Sequence, residues 1–204
     1  MTRNGVTDYV LLFAKAPLAG QVKTRLAQEL GVAGAYRAHC MLLLDALRRL
    51  DGGPWQYQLW MTADTSQAQA WSAEFGYALR QQAGDNLGRR MAHAMGEAFA
   101  AGAQRVVLLG ADCPSINLDY LTETFTALCD HDVVLGPAAD GGYGLIGSKR
   151  PIEGAFQGIR WGTGEVFDQS IKRCRSLGLN VYVGQEIWDV DEPTDWQRYQ
   201  ALTH

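Results

Sequence analysis

The stretch Tyr9-Val-Leu-Leu-Phe13, followed by Lys15-Ala-Pro-Leu-Ala-Gly-Gln-Val-Lys-Thr-Arg25, decides how the rest of the chain is read. A continuous apolar, β-prone run fits a strand buried on both faces, the signature of a parallel sheet covered by helices. The segment after it is cationic and contains Pro17 and Gly20, so a buried strand feeds a basic loop. Between Val32 and Leu50 the residues Leu43, Leu47 and Leu50 fall at i, i+4 and i+7, a helical stripe that stops at Asp51-Gly-Gly-Pro54.

The same alternation continues outward. Tyr57 to Thr62 reads as a strand, Ala63 to Trp71 as a polar-faced helix and Tyr77 to Gln81 as a further strand. After the turn at Gly84-Asp-Asn86, Met91, Met95 and Ala98 share a helical face, and Val106-Val-Leu-Leu109 is again wholly apolar. That strand runs into Gly110-Ala-Asp-Cys-Pro114. Leu118, Leu121, Phe125 and Leu128 form the next helical stripe, with Asn117 as its N-cap, before the strand Val133-Val-Leu135. Beyond residue 140 the pattern loosens into a Gly-rich segment from Asp140 to Gly147, a helix from Gly164 to Arg175, strand-like Val181 to Val183, and a last helix after Pro193. Strands alternating with helices imply an α/β fold, in which ligands collect at the carboxyl edge of the sheet.

No linker, repeat or low-complexity segment divides the 204 residues, so one domain over 1–204 is expected. With 18 Lys+Arg against 22 Asp+Glu, the formal charge is -4. Such a chain lacks the positive field that holds nucleic acid or an anionic membrane, and any polyanion it binds must be small and held by local cations. Cys40, Cys113, Cys129 and Cys174 are far apart, without metal or redox spacing, and read as buried thiols. Met1 to Asp8 is short and polar, and the apolar run from Tyr9 to Ala14 is cut by Lys15, too short for a signal peptide. A cytoplasmic protein is expected, compatible with either a monomer or a homodimer.

Three groups of residues could carry chemistry. Lys15, Gly20, Lys23, Thr24 and Arg25 place cations on and beside a loop that enters a helix, an arrangement suited to phosphates. It is not a Walker loop, because Val22 stands where that motif needs glycine before Lys-Thr. The alternative is a solvated basic helix start. Second, Asp112 follows one strand, Asp140 another, and Asp189 and Asp191 precede the last helix. Gathered at strand ends beside a phosphate loop, these carboxylates would repel one another unless a divalent cation joined them. Singly, each could be a turn former or cap, Asp140 before Gly141-Gly142 and Asp191 before Pro193 especially. Third, Gln82, Gly84, Asp85, Leu87, Gly88 and Arg90 lie between a strand and a helix, where they could border a nucleobase. Trp161 could stack on a substrate ring or simply form a wall, and His39, His93, His131 and His204 read as packing or surface residues. The literal G-x-G-x-x-G at Gly142, Gly144 and Gly147 is rejected as a dinucleotide fingerprint, since Lys149-Arg-Pro151 disfavours the helix that must follow it.

Phe13 to Leu26, Gln82 to Met91, Gly110-Ala-Asp-Cys-Pro114, Pro137 to Tyr143 and Asp189-Val-Asp-Glu-Pro193 together resemble the radical-SAM/selenodomain-associated transferase family of GT-A-like nucleotide-diphospho-sugar transferases. Lys15 to Leu26 is also similar to the opening of 2-phospho-lactate guanylyltransferases. The resemblance implies a GT-A-like (Rossmann-like) three-layer α/β/α sandwich with a mostly parallel central sheet. It further implies that Lys15, Lys23 and Arg25 bind phosphates, that Gln82 to Arg90 borders the base, and that Asp112 and Asp191 hold the metal, with Asp189 beside them. Asp140, Gly141, Gly142 and Trp161 would then line the acceptor or sugar side. Asn86 departs from the family's pattern, which has aspartate in a Gly-Asp-Leu-Gly run.

The expected activity is therefore a Mg²⁺- or Mn²⁺-dependent transfer of a nucleotidyl or glycosyl group from a nucleoside triphosphate or nucleotide-sugar to a small acceptor. Asp112, Lys23 and Asp140 are the expected catalytic residues, and three cations suit a triphosphate slightly better than a diphospho-sugar. The rival expectation is a non-catalytic nucleotide or sugar-nucleotide binding protein that keeps the pocket without the chemistry.

Overall fold

The computed structural model describes residues 7–202; the polar opening at 1–6 and His204 lie outside them. Seven strands form one sheet in the order β3-β2-β1-β4-β6-β5-β7. They are β1 (Asp8–Ala14), β2 (Gln56–Met61), β3 (Ala78–Gln81), β4 (Arg105–Gly110), β5 (Val133–Pro137), β6 (Tyr143–Ser148) and β7 (Val181–Val183). The helices are α1 (Ala27–Leu50), α2 (Ser66–Phe75), α3 (Leu87–Ala100), α4 (Leu118–Asp130), α5 (Val166–Ser176) and α6 (Pro193–Leu202). β6 runs antiparallel to both neighbours, and all other pairings are parallel.

Successive side chains of a strand point to opposite faces, so an unbroken apolar run must be buried twice. In β1, Val10 and Leu12 pack with Leu43 and Leu47 of α1 and with Leu121 and Phe125 of α4. Leu11 and Phe13 face the other way, into a second core with Met91 and Met95 of α3 and Ile171 of α5. The result is one α/β domain with a helical layer on each side of the sheet. A third cluster joins α6 to the start of α1, where Trp196 and Tyr199 pack with Leu26, Ala38 and the fully buried Val190.

Several elements differ from the sequence reading: α2 spans Ser66–Phe75 rather than Ala63 to Trp71, and α5 Val166–Ser176 rather than Gly164 to Arg175. α1 begins at Ala27 rather than Val32, with a break at Gly31 (φ 68°, ψ 168°), so the stripe from Val32 marks only the part beyond the kink. The Gly-rich segment contains a full strand, β6, missed because Gly144 and Gly147 dilute its apolar pattern. That strand also supplies the structural reason why the glycine motif is no dinucleotide loop: Gly144 and Gly147 lie inside the strand rather than in a turn that opens a helix. Asn117 caps α4 as expected, its Oδ1 accepting from Tyr120 N at 2.9 Å. Among the cysteines, Cys113 and Cys174 are buried, whereas Cys129 is exposed at the end of α4, contrary to the uniform expectation of buried thiols. No helix among the described residues is long and apolar enough to cross a membrane.

Candidate active site

Parallel β1, β4 and β5 all end on one edge of the sheet, and the site is built there. Asp112 follows β4 directly. The β5–β6 turn brings Asp140 to the same edge: Ala138 N donates to Gly142 O at 3.0 Å, and Asp140 Oδ1 accepts from Gly142 N at 2.8 Å. The segment after β7 then crosses back over these strand ends, as Ile187 N donates to Pro137 O at 2.8 Å and Val190 N to Asp112 O at 3.1 Å. Because neighbouring residues in this extended stretch face opposite ways, burying Val190 against α1 and α6 turns Asp189 and Asp191 toward Asp112. The three aspartates each offer a carboxylate oxygen within 4.8 Å of the others.

Lys23 lies among them. Its Nζ donates to Asp112 Oδ2 at 2.6 Å and to Asp191 Oδ1 at 3.1 Å, and its side chain is only 5% exposed. Burial works against the ammonium charge, but Asp112 and Asp191 outweigh it and hold Lys23 above the ordinary lysine range. Burial likewise opposes ionisation of Asp112, and the charge and hydrogen bond of Lys23 overcome it, keeping that carboxyl below the usual range. For Asp189 the charge of Lys23 is outweighed. Burial, then the charges of Asp112 and Asp191, push its pKa up to about 6. Arg25 pairs with Asp191 at 3.3 Å and Glu192 at 3.2 Å from an exposed position.

Two hollows meet at Asp112 and Asp191. The first, about 320 Å³, is lined by Lys15, Lys23, His39, Thr62, Gln82 and Arg90 among others. The second, about 510 Å³, is lined by Arg25, Asp140, Gly142, Tyr143, Trp161 and Asp189 among others. Leu87 borders both. Lys15, Lys23 and Gln82 thus lie on one side of the carboxylates and the Asp140–Trp161 group on the other, whereas Arg25, expected beside the other two cations, lies on the Asp140 side.

Several expected residues are placed otherwise. Gly20 and Thr24 are exposed and line neither hollow. Gly88 does not face the first hollow; a Cβ there would lie 2.6 Å from Trp161 Nε1, so its role is to let the indole pack on α3. Trp161 is accordingly a wall, braced by Tyr143 and Phe156 with ring centroids 6.3 and 6.4 Å away. Gly141 faces the 162–164 loop, and Gly84 O accepts from Arg90 Nε at 3.1 Å. The amide nitrogen of Gln82 is committed to Ala14 O and Trp60 O, at 3.0 and 2.9 Å, so it ties strand ends together as well as lining the hollow. Asn86, the departure from the family pattern, caps α3 by accepting from Arg89 N at 2.9 Å, a task that asparagine performs as well as aspartate.

Sequence reasoning passed over three positioning residues. His39, buried on α1, holds Lys15 O at 3.0 Å from Nε2, and burial above all lowers its pKa. Thr62 Oγ1 accepts from Ala16 N at 2.8 Å. Arg49 Nε donates to Ile116 O at 2.8 Å, bracing the loop that follows Asp112. A signal existed only for His39, a polar residue on the stripe that runs through Ala35, Leu42 and Leu43.

The donor set fits a hard divalent cation. Mg²⁺ and Mn²⁺ favour carboxylate oxygens, and three carboxylates share the cleft with one buried ammonium, so negative charge is left over.

The sequence matches, over residues 44–163, the family described as "Uncharacterized protein conserved in bacteria (DUF2064)". No curated protein matches it. Among solved structures, the chain is 32% identical to a protein of Desulfovibrio desulfuricans G20 provisionally described as a nucleotide-diphospho-sugar transferase, with a TM-score of 0.85 over 92% of this chain and 83% of that one. It superposes on 4-diphosphocytidyl-2C-methyl-D-erythritol synthase from Anaerococcus prevotii DSM 20548 with a TM-score of 0.66 and 11% identity, covering 98% and 96% of the two chains. For a CMP:2-keto-3-deoxy-manno-octonic acid synthetase complexed with CTP, the TM-score is 0.61 and the identity 12%, covering 97% and 98%. At those last two identities the likeness is one of fold.

Proposed function

The chain belongs to the DUF2064 family, and from that premise we propose that it is a divalent-metal-dependent transferase acting on a nucleotide donor and a small acceptor. The observation that carries this reading is the meeting of two hollows at Asp112 and Asp191, one lined by cations and one by Asp140 and an aromatic wall. A donor in the first hollow would present its phosphates to Lys15 and Lys23, and an acceptor in the second would reach them across the carboxylates. Asp112, Asp189 and Asp191 would hold Mg²⁺ or Mn²⁺, which would supply positive charge to offset that of the phosphates. Lys15 and Lys23 orient the leaving group, Arg25 and Asp140 lie on the acceptor side, and Trp161 with Tyr143 keeps water from that half.

Nucleotidyl transfer from a triphosphate, releasing pyrophosphate, is the preferred reaction, since the cations suit three phosphates. Glycosyl transfer from a nucleotide-sugar is the second reading, favoured by the description of the relative from Desulfovibrio desulfuricans G20. Calorimetry with each nucleoside triphosphate and a panel of nucleotide-sugars, in Mg²⁺, separates them. Tight binding of a nucleotide-sugar with no triphosphate binding would overturn the nucleotidyl preference. Asp112→Ala is expected to abolish metal-dependent nucleotide binding; a folded variant with unchanged metal dependence would remove Asp112 from the site.

A further inference from the structure

Lys23 stands between two sets of possible partners. Its Nζ bridges Asp112 and Asp191 at 2.6 and 3.1 Å, and the same two aspartates belong to the carboxylate cluster that suits a divalent ion. An ammonium hydrogen-bonded to both side chains fills the space between them, and its charge repels a second cation arriving there. Lys23 also lines the cationic hollow together with Lys15 and Arg90, so a short swing of its flexible stem brings the head from the carboxylates to bound phosphates. Its backbone is held at φ 46°, alone among the described non-glycine residues in having a positive φ. Such a conformation costs free energy and persists only where the surrounding structure holds it; Ala27 N donates to Lys23 O at 3.0 Å.

We propose that Lys23 is a resident cation that exchanges partners. It neutralises Asp112 and Asp191 in the ligand-free protein and passes to the donor's phosphates when a divalent ion takes those carboxylates. Metal and nucleotide then bind with positive coupling, because each provides what the other displaces: the ion replaces the ammonium on the aspartates, and the phosphates give the ammonium a new partner. By linkage the coupling is reciprocal, so nucleotide tightens metal binding by the same factor as metal tightens nucleotide binding. Asp189, which forms no ion pair among the described residues, offers a third carboxylate oxygen within 4.8 Å of the other two, which a divalent ion can use and the ammonium does not. The inference rests on the carboxylate metal site of the proposed function and is independent of which group is transferred.

The test is titration of the nucleotide-free protein with Mn²⁺ alone, followed by electron paramagnetic resonance. Lys23→Met is expected to bind Mn²⁺ at least about tenfold more tightly than the wild type, since no charge-assisted hydrogen bonds must be broken first. Arg25→Met removes an equal charge from beside Asp191, but from an exposed side chain that does not touch Asp112; it is expected to change Mn²⁺ affinity by less than about threefold. Lys23→Met binding no more tightly than wild type, or Arg25→Met matching its gain, would overturn the exchange. A second measurement needs only the wild type: the ammonium signal of Lys23 in ¹⁵N-resolved spectra should shift or vanish at saturating Mg²⁺. A signal unmoved by saturating Mg²⁺ overturns the proposal even if Lys23→Met fails to fold. Absence of Mn²⁺ binding by every variant, with or without nucleotide, would overturn the metal site and the exchange together, whereas equal tight binding overturns the exchange alone.

Discussion

Replacing Gly141 by alanine tests how the acceptor half of the cleft is held together. Gly141 sits at φ 82° in the β5–β6 turn, and a Cβ added there would lie 2.7 Å from the carbonyl carbon of Gly164 and closer still to its oxygen. The two loops cannot simply part, because Phe167 N donates to Gly141 O at 2.9 Å and anchors the turn to α5. Two costs therefore add. The left-handed conformation costs alanine about 1–2 kcal/mol, and pressing a methyl into fixed backbone adds about 1–3 kcal/mol, as overpacking does. A smaller gain of about 0.4–1 kcal/mol comes from the stiffer unfolded chain. The net expectation for Gly141→Ala is a loss of about 3 kcal/mol, or about 6–12 °C in Tm for a chain of this size. Gly158 provides the control: its φ is 77° but nothing lies within 4 Å of an added Cβ. Gly158→Ala should therefore lose only about 1 kcal/mol, the strain without the collision. Urea unfolding followed by circular dichroism compares the two, with the slope m checking that both unfold as one unit. Equal losses would show that Gly164 yields freely, and the close docking of the Asp140 turn on the 162–164 loop would have to be abandoned.

Two further predictions concern charge in the cleft. Asp189 has its carboxyl raised to about 6 by burial and by Asp112 and Asp191. Its charged form therefore costs the metal-free protein stability above that pH, and the cost fades as pH falls through about 6. Asp189→Asn should raise the Tm of the metal-free protein at pH 8, with the advantage shrinking as pH falls below about 6 and lost only near the ordinary carboxyl value of 3.8; a lowered Tm at pH 8 would contradict the crowding of carboxylates. His39 has the opposite sign. Burial keeps its ring neutral in the folded protein, while the unfolded chain takes up a proton near its ordinary value, so stability drains away as pH falls below about 6.5. His39→Gln, which can still donate to Lys15 O, should flatten the acid limb of the Tm profile between pH 6.5 and about 5, and an unchanged limb would show that His39 protonates without cost in place.

The sequence by itself determined the layers of the fold and the edge at which chemistry must happen. Tyr9 to Phe13 and Val106 to Leu109 have no polar residue to turn toward water, so both faces of their strands must be covered, and the residues just after them must lie at the carboxyl edge. Asp112 was legible for that reason, and Asn117 and Pro193 marked helix starts through local chemistry that needs no distant partner. β6 was not legible, since its pairing with β4 spans a long sequence distance and its glycines mask the strand pattern that would have revealed the local pairing with β5.

Only the tertiary structure decided which charges meet. Spacing along the chain treated Lys23 as one of three phosphate-facing cations and expected a metal alone to reconcile the aspartates; in the fold its ammonium already lies between Asp112 and Asp191. The bonds that make this so are the backbone tie from Val190 to Asp112 and the burial of Val190 against α1, contacts between residues far apart in sequence. Such contacts leave no periodic trace, because a loop's direction is set by what it packs on rather than by its own composition. Residue type and position after a strand could nominate Asp112, Asp189, Asp191 and Lys23 one by one, but their distances, and hence their charge states, exist only once the chain has closed on itself.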